Sequence, residues 1–443
     1  MPITVLSQPG NSVLAALLTG TFALSTETYG LISSLPFWFN FLQVLLTPLL
    51  TQRLDARTAT IASAWLGFAG WLALLVALPY IPCGENAVTR AIFLTAFSVI
   101  ALSTSINGVT WNAWMQQCVP VRLRGKYFGR RNRLLYLSLF GFMLVLSGLL
   151  AWFHGSLLAF QILFAGALFL RVVSVTAQHR MRTSSSGRTA PAEPHWREQV
   201  RVVGRDAVLV RFIVFASLMG FAINLFAPFY PVFLYEELHL SVAHANLILL
   251  VGVFGAALSF PAWGRLLDRF GNVPVMIVAL VLWQSFNSLW CFLGPDNIWL
   301  LYVIQLLGGL FSAGYGISVF GLLLKLTPSD ARTMGMALFV SISSLTAALG
   351  PIIGGHLLGW AHTRGFPSLS VYHAAFVVMP VFTVANLFLL RRVAESNSAR
   401  ITDVVGAMRN VRTMASLFGL TFLVNQVFYR AGDRKIQPTA PRV

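Results

Sequence analysis

Gln8, Asn11, Asn40, Asn107, Asn224 and Tyr315 interrupt long apolar runs with side chains that donate and accept hydrogen bonds. A polar group at such a place is costly unless it faces other helices or water. Two roles are open for each: an amide joining neighbouring helices, or part of the wall of a wet cavity. Neither role is acid–base or metal chemistry. No His/Cys/Asp/Glu spacing fits a metal, and no nucleophile–base pair or phosphate loop is present, so an embedded enzyme is poorly supported and no cofactor or metal is expected. Carboxylates avoid the middle of the apolar runs. Glu27 sits in Ser25-Thr-Glu27-Thr28, a helix start where an acid suits the dipole, and Glu236 and Glu237 close another run.

The elements that position these groups are membrane helices. The chain is 57% hydrophobic and only 10% charged, against about 25% charged for a soluble domain. Apolar runs of about 20 residues recur, long enough to cross a bilayer. Their centres fall near residues 12, 38, 70, 104, 143, 166, 221, 252, 284, 311, 346 and 381, which makes twelve segments. The net charge of +17 is distributed by topology. Alternate connections carry Arg53 and Arg57, Arg122 to Arg133, Arg180 to Arg205, Arg265 and Arg269, then Lys325 and Arg332, whereas the others hold only Arg90 and Arg364. This positive-inside pattern predicts both termini in the cytoplasm, anionic headgroups as partners on that face, and no nucleic-acid binding.

The sequence also repeats. Gly264-Arg-Leu-Leu-Asp268-Arg269-Phe-Gly271 stands between two apolar segments, and Pro48-Leu-Leu-Thr-Gln52-Arg53-Leu-Asp55 stands in the same place about 216 positions earlier. Pro120 to Arg124 is matched by Pro328 to Arg332. Ser25 and Ser241 fall together on the 216 spacing, and both read as helix N-caps. Two sextets of segments are the sequence form of a transporter built from repeats, with its site near the bilayer midplane. On the 216 spacing Gln8 answers to Asn224. On a 208 spacing Asn107-Gly108 answers to Tyr315-Gly316. Phe37, Trp38 and Asn40 follow Pro36 in segment 2. The candidate substrate-binding set is therefore Gln8, Asn11, Phe37, Trp38, Asn40, Asn107, Asn224 and Tyr315. Amides and aromatics suit a neutral or amphipathic small solute. With no midplane carboxylate, coupling to protons or sodium is unproven and a uniporter remains open.

These motifs carry a resemblance. Gly264-Arg-Leu-Leu-Asp268-Arg269-Phe-Gly271-Asn-Val-Pro274 resembles the loop 8/9 signature of the major facilitator superfamily, and Leu349-Gly350-Pro351-Ile-Ile-Gly354-Gly355 resembles the GPxxGG stretch of its second half. Trp111-Asn112-Ala-Trp114 through Pro120, Arg124-Gly125 and Tyr127-Phe128-Gly129-Arg130-Arg131-Asn132 is similar to the WNxWMxxxVPxxxRGxYFGxRN junction of a bacterial subfamily of transporters. The resemblance covers nearly the whole chain. It implies alternating access between two bundles, and a cytoplasmic latch in which Asp268 and Arg269 meet a helix start in the other half, near Arg130 to Arg133. Arg53, Asp55, Arg124 and Arg332 join this gating set; topology alone is the competing role. The loop 2/3 copy departs from the signature, with Pro48 for the first Gly and Gln52 for the Asp. Segment 5 lacks the GP motif, and segment 4 the mid-helix arginine, of drug–proton antiporters.

The expectation is an all-α membrane protein with the major facilitator fold: twelve transmembrane helices in two six-helix pseudo-repeats, both termini cytoplasmic. Residues 1–178 form the first bundle, 179–207 a cytoplasmic linker, 208–392 the second bundle and 393–443 a cytoplasmic tail. The linker end at Trp196 to Ala207 can form an amphipathic helix, and Thr413 to Tyr429, basic at both flanks, reads as an interfacial helix rather than a thirteenth crossing. Segment 1 is short at its cytoplasmic end, or the true start lies upstream. Cys83 and Cys291 sit at equivalent outer rims, without a disulfide, and Cys118 reads as a small buried residue. The protein is expected to be a monomer in a bacterial inner membrane. A transporter-fold sensor or scaffold is the alternative.

Overall fold

The computed structural model describes residue 6 and residues 11–53, 55–118, 124–153, 156–181, 196–328, 332–395 and 398–409; the side chains of 43–53, 112–113, 116–117, 124–133, 135–137, 196–197, 199 and 332–333 lie outside the description. Among the described residues the regular structure is helical. The helices are α1 (Ser12–Ala15, continued by a π-turn over Ala16–Thr21), α2 (Thr26–Arg53), α3 (Ala56–Ala77), α4 (Ala87–Cys118), α5 (Arg124–Trp152), α6 (Leu157–Arg180), α7 (Trp196–Arg205), α8 (Ala207–Phe226), α9 (Tyr230–Glu236), α10 (Val242–Phe270), α11 (Asn272–Asn287), α12 (Trp299–Leu326), α13 (Arg332–Thr363), α14 (Ser368–Leu390) and α15 (Ile401–Arg409). Helices are the outcome because a chain this apolar must satisfy its own backbone N–H and C=O groups. Nine helices among the described residues are long and apolar enough to cross a membrane. The chain is a multi-pass helical membrane protein.

The repeat is visible in the backbone. Ala23 and His239 both take φ of 50°, a left-handed conformation that L-residues seldom adopt. Each reverses the chain after the first long segment of its half. Phe22 N–H reaches Leu17 O and Leu24 N–H reaches Leu18 O; 216 positions on, Leu238 N–H reaches Phe233 O and Leu240 N–H reaches Leu234 O. Ser25 Oγ then accepts from Thr28 N–H and Ser241 Oγ from His244 N–H, each at 3.2 Å, so both serines cap the helices they begin.

The halves meet along two seams, α2 against α13 and α5 against α10. Small residues let the first close. A Cβ on Gly355 would lie 2.6 Å from Thr26 O, and one on Gly30 would strike Pro351 O. On the other flank of α13, Gly350 and Gly354 press on the α8 backbone at Asn224 and Leu225. The GPxxGG stretch thus seats α13 between its own bundle and the opposite one, as small-residue helix contacts do in lipid. Within the second half, Gly309 of α12 lies directly on the carbonyl of Gly252 in α10.

The peripheral pieces dock on this frame. The linker helix α7 buries Val203 among Leu209, Phe212 and Leu390. After α14 the chain turns back, Ala399 N–H bonds Phe270 O at 2.9 Å, and α15 buries Val404 against α10 and α11. The three cysteines are free; Cys118 is half-exposed beside Trp114 rather than buried. Thr413 to Tyr429 lies outside the described residues.

Candidate functional site

Between described residues, the hydrogen bonds that cross from one half to the other gather at the end away from the basic connections. Ser12 Oγ donates to Asn246 Oδ1 at 3.1 Å, and Asn246 Nδ2 donates to Met143 O at 3.2 Å and Ser147 Oγ at 2.5 Å. Tyr235 OH donates to Ser12 O at 2.6 Å, and Tyr29 OH to Pro228 O at 2.8 Å. The Glu27 carboxylate approaches His356 Nδ1 at 3.5 Å, both side chains being half-exposed. Asn246 is the hub: it is 2% exposed and ties α1, α5 and α10 together. Sequence reading missed it, although its place near the start of an apolar helix was a signal.

A cavity of about 330 Å³ opens into the second half between α8, α9, α10, α11, α12 and α14. Its polar wall is Tyr230, Asn287, Gln305 and Ser312, and its aromatic wall Trp283 and Trp290. Asn287 Nδ2 has only long contacts, 3.5 Å to Gln284 Oε1 and 3.5 Å to Met379 Sδ. The Gln305 amide makes no hydrogen bond among the described residues and stands beside Gly252. Tyr230 stacks on Trp290 with centroids 4.5 Å apart. No charged side chain is among the described residues lining the cavity. Such a wall can hold a neutral, partly planar molecule by hydrogen bonds and ring contacts, and would desolvate an ion without a partner.

The sequence-predicted residues divide among several places. Tyr315 lies against Trp283, centroids 5.8 Å apart, so it buttresses the cavity from behind. Asn224 is half-buried one residue from Ile223 of the cavity wall, and its Nδ2 is turned back onto Gly220 O at 2.8 Å. Asn107 Nδ2 donates to Thr60 O at 2.9 Å and Ser63 Oγ at 3.2 Å, which joins α4 to α3. Asn11 caps α1, accepting from Val13 N–H and Leu14 N–H. Phe37, Trp38 and Asn40 are half-buried on α2. Gln8 lies outside the described residues.

At the basic end, Asp268 and Asp55 are exposed, and neither makes a side-chain hydrogen bond or ion pair among the described residues. Arg269 lies over the Phe270 ring at 5.1 Å. The side chains of Arg53, Arg124 and Arg332 are outside the description. The anion that sits on a helix start here is Glu395. Its carboxylate accepts from Asn272 N–H (3.1 Å), Val273 N–H (2.8 Å) and Asn272 Nδ2 (2.8 Å), and pairs with Lys325 Nζ at 3.0 Å. Burial pushes its pKa up, but these hydrogen bonds outweigh burial and hold it below the ordinary carboxylate value. On the 216 spacing the same place in the first half is His179, whose carbonyl accepts from Arg57 Nη2 at 2.7 Å. Each half therefore clamps the end of its last segment to the start of its third. A lone acid in a basic stretch was the sequence signal for Glu395.

The two halves, clasped through α2, α13, α5 and α10, define the class, a multi-pass helical membrane fold. The crystal structure of the nucleoside transporter NupG shares it at a TM-score of 0.67, with 14% identity, over 88% of this chain and 96% of that one. A family profile, the Major Facilitator Superfamily, matches residues 212–431. The multi-drug resistance efflux pump PmrA of Streptococcus pneumoniae is 33% identical over 172 residues, 37% of this chain and 39% of the relative. The multidrug resistance protein MdtG of Citrobacter koseri is 26% identical over 214 residues, 47% of this chain and 51% of the relative. The matches thus span about half, or less, of these curated relatives. The second half of the chain thus matches the major facilitator superfamily profile, and the chain as a whole shares the fold of the solved nucleoside transporter.

Proposed function

We propose that the protein moves a small solute across a bacterial inner membrane by alternating access. In this reading residues 1–178 and 208–392 are the two moving bundles, twelve crossings in all, joined by a cytoplasmic linker at 179–207 and followed by a cytoplasmic tail at 393–443. Both termini face the cytoplasm, where the basic connections meet anionic lipid, and the protein works as a monomer. The observation that carries the reading is the one-sided clasp. Among the described residues, hydrogen bonds between the halves gather at the end opposite the basic connections, and the Asp268 and Asp55 side chains at the other end make none to them. We read this clasp as the shut outer gate of an inward-facing carrier. In the opposite state Asp268, Arg269, Arg53, Asp55, Arg124 and Arg332 come together as the inner latch. The solute path runs past Gln8, Asn11, Phe37, Trp38, Asn40, Asn107, Asn224 and Tyr315. The fold's nucleoside-transporter likeness and the efflux-pump relatives agree with solute movement.

The test is a reversible lock. Ser12→Cys with Asn246→Cys, in a chain freed of its own cysteines, places two thiols across the clasp. Proteoliposomes are assayed with uridine, D-xylose and ethidium. The open-thiol protein should move at least one probe, oxidation should stop it, and reductant should restore it. Movement that continues in the oxidised protein, or no movement of any probe, overturns the reading.

A further inference from the structure

The repeat allows the second-half cavity to be compared with the same place in the first half. On the 216 spacing Asn287 answers to Trp71 and Tyr230 to Leu14; on the 208 spacing of α4 and α12, Gln305 answers to Phe97. The neighbours correspond. Asn287 touches Met379 of α14, and Trp71 touches Phe164 of α6, with ring centroids 5.0 Å apart. Asn287 and Gln305 line one cavity, and Trp71 and Phe97 form an edge-on pair at 5.9 Å. Leu14, Trp71 and Phe97 are all buried in the apolar core. The first half fills this place with the Trp71 and Phe97 rings and with Leu14. The second half has amides and a phenol there and sets its rings instead at Trp283 and Trp290, which answer to Gly67 and Leu74, and a cavity of about 330 Å³ remains.

Such an asymmetry is not what helix packing alone produces. A Trp-to-Asn difference in a packed bundle leaves a void that costs stability unless something fills it. A half-buried Gln305 amide without a hydrogen bond among the described residues adds to the cost. Both costs vanish when a ligand supplies the missing volume and the missing acceptors or donors. We infer that the second half alone carries the recognition pocket, and that it takes an uncharged, ring-sized solute bearing hydrogen-bonding groups, held by Asn287 and Gln305 with its ring against Trp283 and Trp290. The first half is the rigid wall against which this pocket opens and closes. The inference rests on the transport reading for why a pocket is kept, but binding can be read without transport.

The experiment uses the full chain purified in detergent, with melting temperature as the readout, because a ligand that binds the native state raises it by mass action. The probes are uridine, D-xylose and nicotinamide, each uncharged, and uridine 5′-monophosphate as the charged counterpart of the first. The variants borrow the other half's residues, Asn287→Trp and Gln305→Phe, so that the pocket is filled by side chains already accommodated at the matching place. Phe97→Leu is the control on the closed side. At least one uncharged probe should raise the melting temperature of the unmodified chain, and uridine 5′-monophosphate should not. Each filling variant should melt no lower than the parent and bind that probe more than about tenfold more weakly, the size of a lost buried hydrogen bond. Phe97→Leu should keep the shift. A shift retained in both filling variants, a preference for the monophosphate, or no shift with any uncharged probe overturns the inference. Binding lost in the variants while liposomes show no movement would leave the pocket standing and sink the transport reading instead.

Discussion

Glu395 offers a prediction whose size follows from the structure. Its side chain is fully buried, and it accepts two backbone and two side-chain hydrogen bonds, from the first turn of α11 and from Lys325. Glu395→Gln keeps the shape, removes the charge and turns one acceptor into a donor. Hydrogen bonds to a charged group are worth about 1.5–3 kcal/mol each, and an anion at a helix N-terminus adds about 0.3–1 kcal/mol. Relief from burying the carboxylate offsets part of this, and Lys325 keeps some solvent, so a net loss of about 2–4 kcal/mol is expected. The loss is local, because the carboxylate holds the segment leading to α15 on the α10–α11 turn, where Ala399 N–H bonds Phe270 O. Hydrogen exchange of peptides covering 398–409 and the start of α11 is the assay. At about 1.4 kcal/mol per tenfold, protection there should fall by roughly 30-fold to several hundred-fold, with α4 and α6 unchanged. The pH dependence has a definite sign. The folded carboxyl is held below its ordinary value, so its stabilisation is present above the unfolded pKa and disappears as pH falls through the folded one. The difference between parent and variant should therefore begin to shrink below about pH 4 and close as pH falls further. Equal protection in the two proteins at pH 7, within about threefold, would refute the clamp.

Two further outcomes follow from the other end of the molecule. Asn246→Ala removes the hub of the clasp and leaves Ser12, Met143 O and Ser147 without its amide. On the proposed topology the closed outer gate should lose about 2–3 kcal/mol, so a thiol introduced at Asn224 should be labelled from the outer face at least tenfold faster. Glu85 accepts from Ser25 N–H and Thr28 Oγ1, each at 2.7 Å, at the start of α2. Burial raises its pKa, but those bonds, with Arg90 nearby, bring it below the ordinary value. Glu85→Gln should cost no more than about 1 kcal/mol at this exposed site, measured as a small drop in melting temperature at pH 7 that fades as pH falls below about 4.

Much of the architecture was readable because its causes are local. Apolar runs of bilayer length specify helices whatever surrounds them. Ser25 and Ser241 cap helices because a hydroxyl beside free N–H groups bonds them, and that needs only neighbouring residues. GPxxGG was legible only as a motif; that its three glycines each press on the backbone of another helix was not. The site was legible only as chemistry. Amides in apolar helices were expected, yet Asn107 is bound to α3 and Asn224 to its own helix, while Asn287 and Gln305, unnoticed in sequence, face the cavity.

The one-dimensional chain thus determined that this is a duplicated membrane bundle with a neutral, amide-bearing interior. Helical periodicity says which residues share a face, but not whether that face meets a packed ring or an open space. Only the tertiary structure decided that Trp71 is packed among rings in one half while Asn287 lines a cavity in the other, because a cavity is a property of side chains from six helices at once.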